Sequence, residues 1–86
     1  MTGFAELVER VENGAGCDNS LDVLIEVALF QPNEHVASCR ANNAGTKVIY
    51  TTHCGHQETY WADEWTGERS KASAALRVRL LEGEGE

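Results

Sequence analysis

The stretch TKVIYTTHCGHQETYWA, residues 46–62, decides the fold, because it holds two runs rich in β-branched and aromatic residues on either side of HCGH. Two such runs around a glycine-bearing turn are typical of a β-hairpin. A third run, HVASCRA at 35–41, precedes them across NNAG at 42–45. Together the runs predict a three-stranded antiparallel meander, which needs other elements packed on one of its faces to be stable.

Two amphipathic helices are predicted before the sheet. The first runs from Thr2, a possible N-cap, to Asn13, and the second begins at the capping residues 18–20 and stops before Pro32. Apolar residues recur in both at the helical spacing of three and four, which predicts that they face the core. They are Phe4, Leu7, Val8 and Val11 in the first helix, and Leu21, Leu24, Ile25, Ala28 and Leu29 in the second.

The residues after the sheet predict a closing helix over 70–83, with Thr66 or Ser70 as a possible cap. The predicted order is therefore ααβββα, an α+β fold in which helices pack on one face of the sheet. We expect one domain over residues 1–82, because 86 residues leave no room for a second core. The residues 83–86 are expected to form a frayed acidic tail.

Composition and charge exclude several classes of function. The formal net charge is −7 and the isoelectric point is about 4.8, which argues against direct binding to nucleic acid or to anionic membranes. The longest apolar runs, VLI and VALF, are too short to span a membrane, and no signal peptide is visible. We therefore expect a cytoplasmic protein whose three cysteines are free thiols.

The face on which each strand residue lies depends on the register of the hairpin. A two-residue loop at Cys54 and Gly55 would place His53 opposite His56, because glycine supplies the positive φ that such turns need. Alternation along the strands then predicts two sets of side chains. Val48, Tyr50, Thr59 and Trp61 would share the core face, and Ile49, Thr51, His53, His56, Glu58 and Tyr60 would share the other.

A metal site is the first chemistry to test, because cysteine and histidine are the usual zinc ligands. With NNAG as a four-residue loop, Cys39 lies beside Val48 and points into the core, whereas His53 and His56 point away from it. The ligands do not converge, so neither a metal nor another cofactor is expected. A small regulatory or metal-stabilised protein that uses His53 and His56 is the open alternative.

Nucleophilic catalysis has weaker support. Cys54 lies between two histidines in sequence, but neighbouring residues on a strand point in opposite directions, so an imidazole at the adjacent position cannot activate its thiol well. Neither an oxyanion-binding group nor an orienting carboxylate can be identified beside it. The sequence predicts a protein that is not an enzyme.

The run YWADEW at residues 60–65 is the strongest candidate for partner binding. It places two tryptophans and a tyrosine among carboxylates, and Trp65 is either a lid on the core or an exposed hot-spot residue. Acidic side chains next to it would suit a basic partner surface. The predicted contact set is Glu58, Asp63, Glu64 and Trp65, supported by Glu6, Glu9 and Glu12 on the first helix.

Two stretches also carry a resemblance. ELVERVENGAGCDNSLDVLIEVAL at 6–29 resembles the opening of small bacteriophage and prophage proteins, and KASAALRVRLL at 71–81 resembles their closing helix. In size, charge and single-domain build the chain is also similar to anti-CRISPR proteins. That resemblance implies a protein of the bacterial host cytosol that binds a host complex stoichiometrically.

The leading expectation is that this chain inhibits a host defence complex. The carboxylates of the chain would then imitate the charge of nucleic acid. Its partner would be a host protein complex with a basic surface, and a homodimer is possible. A component of the phage particle is the third reading, alongside the regulatory or metal-stabilised protein described above.

Overall fold

The computed structural model describes residues 3–82. The elements follow the predicted order, which confirms the α+β fold and the antiparallel meander. They are α1 (Phe4–Asn13), α2 (Asn19–Leu29), β1 (Val36–Ala41), β2 (Lys47–Thr52), β3 (Gln57–Trp61), a 3₁₀ helix (Trp65–Glu68) and α3 (Arg69–Leu81). The predicted cap Thr2 and the predicted tail 83–86 lie outside the described residues, and the single domain over 1–82 stays a prediction.

The helices form one core. The predicted stripe of α1 is buried, and Leu21 and Ile25 of α2 and Leu76 of α3 pack with it. Asp18 caps α2 by accepting a hydrogen bond from the backbone N–H of Leu21 at 3.1 Å. The full buried cluster is Phe4, Leu7, Val8, Val11, Leu21, Ile25, Ala72 and Leu76.

Helix α2 lies between the α1–α3 pair and the sheet, and it contacts both. Its second face carries Glu26, three residues on from Val23. Glu26 and Phe30, the C-cap residue of α2, both contact Tyr50 of β2. Val23 and Val48 are fully buried outside the helical cluster. The helix is therefore buried on two faces, which the stripe of Leu21 and Ile25 alone does not predict.

The sheet has the order β1-β2-β3. Cys39 pairs with Tyr50 and Ala41 with Val48, so the predicted pairing of Cys39 with Val48 is wrong by two residues. A shift of two preserves the face, since side chains alternate with period two. Cys39 is therefore half-buried on the core face, as predicted.

The predicted register of the hairpin is wrong by one residue. The backbone N–H of Thr52 donates to the carbonyl oxygen of His56 at 2.8 Å, so these two residues are paired. The loop between them therefore has three residues and not two. Gly55 has φ 93° at the third loop position, the left-handed residue that follows the turn in three-residue hairpins. His53 lies in this loop and is not opposite His56.

A slip of one residue moves every side chain of β3 to the other face. Trp61 pairs with Lys47 on the outer face and is 67 % exposed, so its predicted place in the core is wrong. The Lys47 ammonium lies 4.6 Å from the centre of its ring. Glu58 and Tyr60 pair instead with Tyr50 and Val48, and they share the inner face with them.

Helix α3 begins at Arg69 after the 3₁₀ helix, with Glu68 as its N-cap residue. Neither of the predicted caps serves it: Thr66 is held by α2, and Ser70 is the second residue of the helix. The three arginines of α3 bind within the fold. Arg69 donates to the backbone carbonyls of Arg10, Val11 and Gly16, Arg77 pairs with Glu12, and Arg79 donates to the carbonyl of Leu29.

Candidate functional site

An acidic groove of about 440 Å³ runs along the 3₁₀ helix. Its wall carries three carboxylates and one ammonium group, and the Lys71 ammonium lies 3.9 Å from a Glu68 oxygen. Both of these side chains are more than two-thirds exposed, so solvent screens the pair. The lining residues, here named the acidic groove, are Asp63, Glu64, Trp65, Gly67, Glu68 and Lys71.

Trp65 forms a fixed wall of the acidic groove. It is half-buried and packs against the helical core, and its Nε1–H donates to Oε1 of Glu26 at 2.8 Å. The hydroxyl of Tyr50 donates to the other oxygen of Glu26 at 2.6 Å. The sequence left two positions open for Trp65, a lid on the core or an exposed hot-spot residue. In the structure Trp65 is a lid on the core.

The 3₁₀ helix is also held at Thr66, which is 4 % exposed. Its backbone N–H donates to Oδ1 of the buried Asp22 at 2.7 Å, and its Oγ1 accepts from the backbone N–H of Asp18 at 2.7 Å. The first turn of α2 therefore fixes the residue that follows Trp65. These contacts tie the base of the groove to α2, and each buried polar group among them has a partner.

Asp22 and Glu26 were not singled out from the sequence, although both position the groove. The available signal is that each interrupts an otherwise apolar helix, LDVLIEVAL. A carboxylate on a buried helix face requires hydrogen-bond donors from elsewhere in the fold. That reasoning identifies the two acids as partnered, but it does not identify Thr66, Tyr50 or Trp65 as the donors.

Glu58 lies apart from the acidic groove, in a second depression of about 280 Å³ on the inner sheet face. Its carboxylate accepts from the Tyr60 hydroxyl and lies 3.2 Å from Nε2 of His56. These two hydrogen bonds, the one from Tyr60 foremost, lower the pKa of Glu58. The structure thus groups Asp63, Glu64 and Trp65, but it places Glu58 in a separate depression. That depression is lined by Val36, Tyr50, Thr52, Glu58 and Tyr60.

The predicted acids of α1 are on a different part of the surface. Glu6 and Glu9 are exposed on a helix that packs on α3, and neither lines the acidic groove. Glu12 is bound within the fold by Ser73 and by Arg77, whose Nη2 lies 2.7 Å from its Oε2. Hydrogen bonds from Ser73 and then Arg77 lower the pKa of Glu12. A supporting role for Glu6, Glu9 and Glu12 in partner binding stays a prediction.

The histidines of the hairpin are exposed and bind neighbouring groups. Nε2 of His53 lies 2.7 Å from the backbone carbonyl of Asn33, and His56 contacts Glu58. Within residues 3–82, no group of three or more cysteine, histidine or acidic side chains is arranged to hold a metal ion. A metal ion bound by His53 and His56 would therefore find no third side-chain ligand within residues 3–82.

Cys54 is an exposed thiol in the hairpin loop. Its Sγ lies 3.2 Å from Oγ1 of Thr52, and this hydrogen bond is the largest cause of a lowered thiol pKa. Burial raises the pKa of Cys39 to about 11, and the nearby Glu26 carboxylate adds to this rise. The two thiols therefore differ in reactivity, since the thiolate is the nucleophile.

No helix within residues 3–82 has the length and apolar character needed to cross a bilayer. Comparisons of the chain with protein-family models, with curated proteins and with solved structures find no match.

Proposed function

We propose that this chain is a small acidic binding protein that inhibits a host defence complex by occupying a basic surface meant for nucleic acid. The observation that carries the proposal is the acidic groove, in which Asp63, Glu64 and Glu68 surround Trp65. Carboxylates grouped around an aromatic wall can meet arginine and lysine side chains in the way that phosphates do.

The anchoring of the groove to α2 supports this function. Trp65 is held through Glu26, and Thr66 through Asp22, at 2.8 and 2.7 Å. A pre-organised surface loses less conformational entropy on binding than a mobile one. The carboxylates beside these two residues therefore meet a partner from a fixed base.

The charge of the chain supports a basic partner. Residues 58–68 carry four acids and no base, and the formal charge of the whole chain is −7. Long-range attraction to a positively charged cleft raises the association rate and falls as salt is added. The resemblance to small phage proteins and to anti-CRISPR proteins supports a partner in the bacterial host cytosol.

The experiment is a capture from bacterial lysate followed by competition. The tagged chain should retain a complex that binds nucleic acid, and excess nucleic acid of the kind that the complex binds should displace the chain. Asp63→Lys combined with Glu64→Lys should abolish capture while the melting temperature stays within a few degrees of the unmodified chain. Capture of the same complex by this variant at moderate salt would contradict the proposal.

A matched control reverses the same amount of charge elsewhere. Glu34→Lys combined with Glu82→Lys changes two exposed acids outside the acidic groove, so capture should persist. A third variant, Glu6→Lys with Glu9→Lys, tests the predicted support from α1. Equal loss in all three variants would mean that net charge alone, and not the groove, holds the partner.

A further inference from the structure

Strand β3 is an open edge of the sheet. The order β1-β2-β3 places it at one side, and all five of its residues are exposed. An edge strand presents unpaired backbone N–H and C=O groups, which are a template for another strand. Within residues 3–82, the structure pairs β3 with β2 alone.

The two edges of the sheet differ in their protection. On β1 the register shifts between Val36 and Ser38, and such an irregularity disfavours pairing with a further strand. Strand β3 pairs regularly over all five residues, and its sequence QETYW contains neither proline nor lysine. Strand β3 therefore lacks the bulge, the proline and the lysine that often blunt an edge, and its one charged residue is Glu58.

The hydrogen bonding of the hairpin shows which backbone groups face outward. Thr52 and His56 form a hydrogen-bonded pair, with the Thr52 N–H 2.8 Å from the His56 carbonyl oxygen. Hydrogen-bonded and non-hydrogen-bonded pairs alternate along an antiparallel ladder. Gln57, Thr59 and Trp61 therefore turn their N–H and C=O groups away from β2 and towards the open edge.

We propose that a second copy of this chain pairs with β3 in antiparallel orientation, with the two-fold axis at Thr59. Thr59 then lies opposite the Thr59 of the second copy, and Gln57 opposite its Trp61. All three outward-facing residues gain backbone partners, and the two sheets join into one. A two-fold contact of this kind is isologous, so each interaction occurs twice.

The side chains of β3 are self-complementary in this register. Glu58 lies opposite the Tyr60 of the second copy, so the hydrogen bond that these residues already form within one strand can also form between strands. The pair of threonines at the axis is a favourable cross-strand pair. No like charges lie directly opposite, whereas an axis at Glu58 would place the two Glu58 carboxylates opposite each other.

The charge of each chain, −7, opposes this association at long range. Added salt screens that repulsion, so dimerisation should strengthen as salt is raised. Binding of a basic partner by the acidic groove should weaken under the same change. The two interactions are therefore distinguishable, and the residues of the acidic groove all lie outside β3.

Sedimentation velocity of the whole chain, from about 10 μM to about 1 mM and at low and moderate salt, tests the proposal. The mean mass should rise with concentration from 9.4 kDa towards twice that value. Thr59→Pro should keep the fold, because the lost N–H faces the open edge and not β2, but it should prevent dimerisation. Thr59→Val keeps the N–H and should dimerise as the unmodified chain does.

Two further variants make each outcome decisive. Thr59→Lys places two ammonium groups opposite each other at the axis and should also give a monomer, even if Thr59→Pro fails to fold. Val78→Asp alters the exposed apolar side of α3 and should leave the dimer intact. A mass of one chain at every concentration, a dimer that persists in Thr59→Lys, or a dimer lost in Thr59→Val or Val78→Asp would overturn the proposal.

Discussion

The indole Nε1–H of Trp65 donates to the Glu26 carboxylate at 2.8 Å, across thirty-nine positions of sequence. The same carboxylate accepts from Tyr50, so one acid on α2 joins β2 to the 3₁₀ helix. Hydrogen bonds to a charged acceptor in a half-buried site are among the stronger ones in proteins. The wall of the acidic groove is thus part of the packing of the fold, and Trp65 is not a free side chain.

Trp65→Phe should destabilise the protein, and Trp61→Phe should not. The first change removes a donor from a half-buried carboxylate and some apolar contact, which should lower the free energy of unfolding by about 1 to 3 kcal/mol. The second alters a side chain that is 67 % exposed, so less than about 0.5 kcal/mol is expected. Urea unfolding of both variants measures this difference, and equal losses would contradict the account of Trp65.

Asp22→Ala and Asp22→Asn should differ, because only the second keeps an oxygen for the buried N–H of Thr66. We expect the alanine variant to lose about 2 to 3 kcal/mol of unfolding free energy, the cost of an unsatisfied buried donor plus the lost acceptor. The asparagine variant should lose less. Equal destabilisation, measured by urea unfolding at neutral pH, would mean that the hydrogen bond to Thr66 is unimportant.

Stability should depend on the ionisation of Glu12 in acid. Its pKa in the folded chain lies below the ordinary value of 4.5, because Ser73 and Arg77 donate to the carboxylate. A lowered folded pKa stabilises the fold above the ordinary value, and this contribution is lost as the pH falls below about 4.5. Glu12→Gln should therefore reduce the melting temperature at pH 7 and have a smaller effect at about pH 3.

The control for Glu12 is Glu9→Gln, which removes a charge from an exposed position of the same helix. It should leave the melting temperature almost unchanged at pH 7. An effect of Glu12→Gln that is the same at both pH values would argue against the ion pair with Arg77.

The three cysteines should react with iodoacetamide in a fixed order. Cys54 is exposed and its pKa is lowered by Thr52, whereas burial raises the pKa of Cys39 to about 11. Mass mapping at about pH 8 should show Cys54 alkylated first and Cys39 last, because the reaction needs the thiolate. Thr52→Val should slow the reaction at Cys54. Fast modification of Cys39 in the folded chain would contradict its place on the core face.

The helices and the order of the elements could be predicted from the sequence because they rest on local patterns. The stripe of Phe4, Leu7, Val8 and Val11 is buried as its spacing predicts. The same holds for the runs of β-branched residues in the strands, whose composition is sufficient to identify them.

The faces of β3 could not be predicted, because they depend on the length of one turn. Thr52 accepts the His56 N–H with its hydroxyl, and Gly55 takes a left-handed conformation, so the loop holds His53 as well. One extra loop residue moved Trp61 to solvent and brought Glu58 to the inner face. Long-range contacts such as that of Glu26 with Trp65 could not be predicted either, since helical periodicity does not identify a hydrogen-bond donor from another element.

The affinity of the captured host complex for the chain and for Asp63→Lys with Glu64→Lys, measured at low and moderate salt, tests the proposed function most directly. Binding through the acidic groove predicts a dissociation constant that rises with salt for the unmodified chain. It also predicts that the double variant loses at least about a hundredfold in affinity at low salt, whereas Glu34→Lys with Glu82→Lys stays within about threefold. Equal affinities for the unmodified chain and the groove variant would contradict the account.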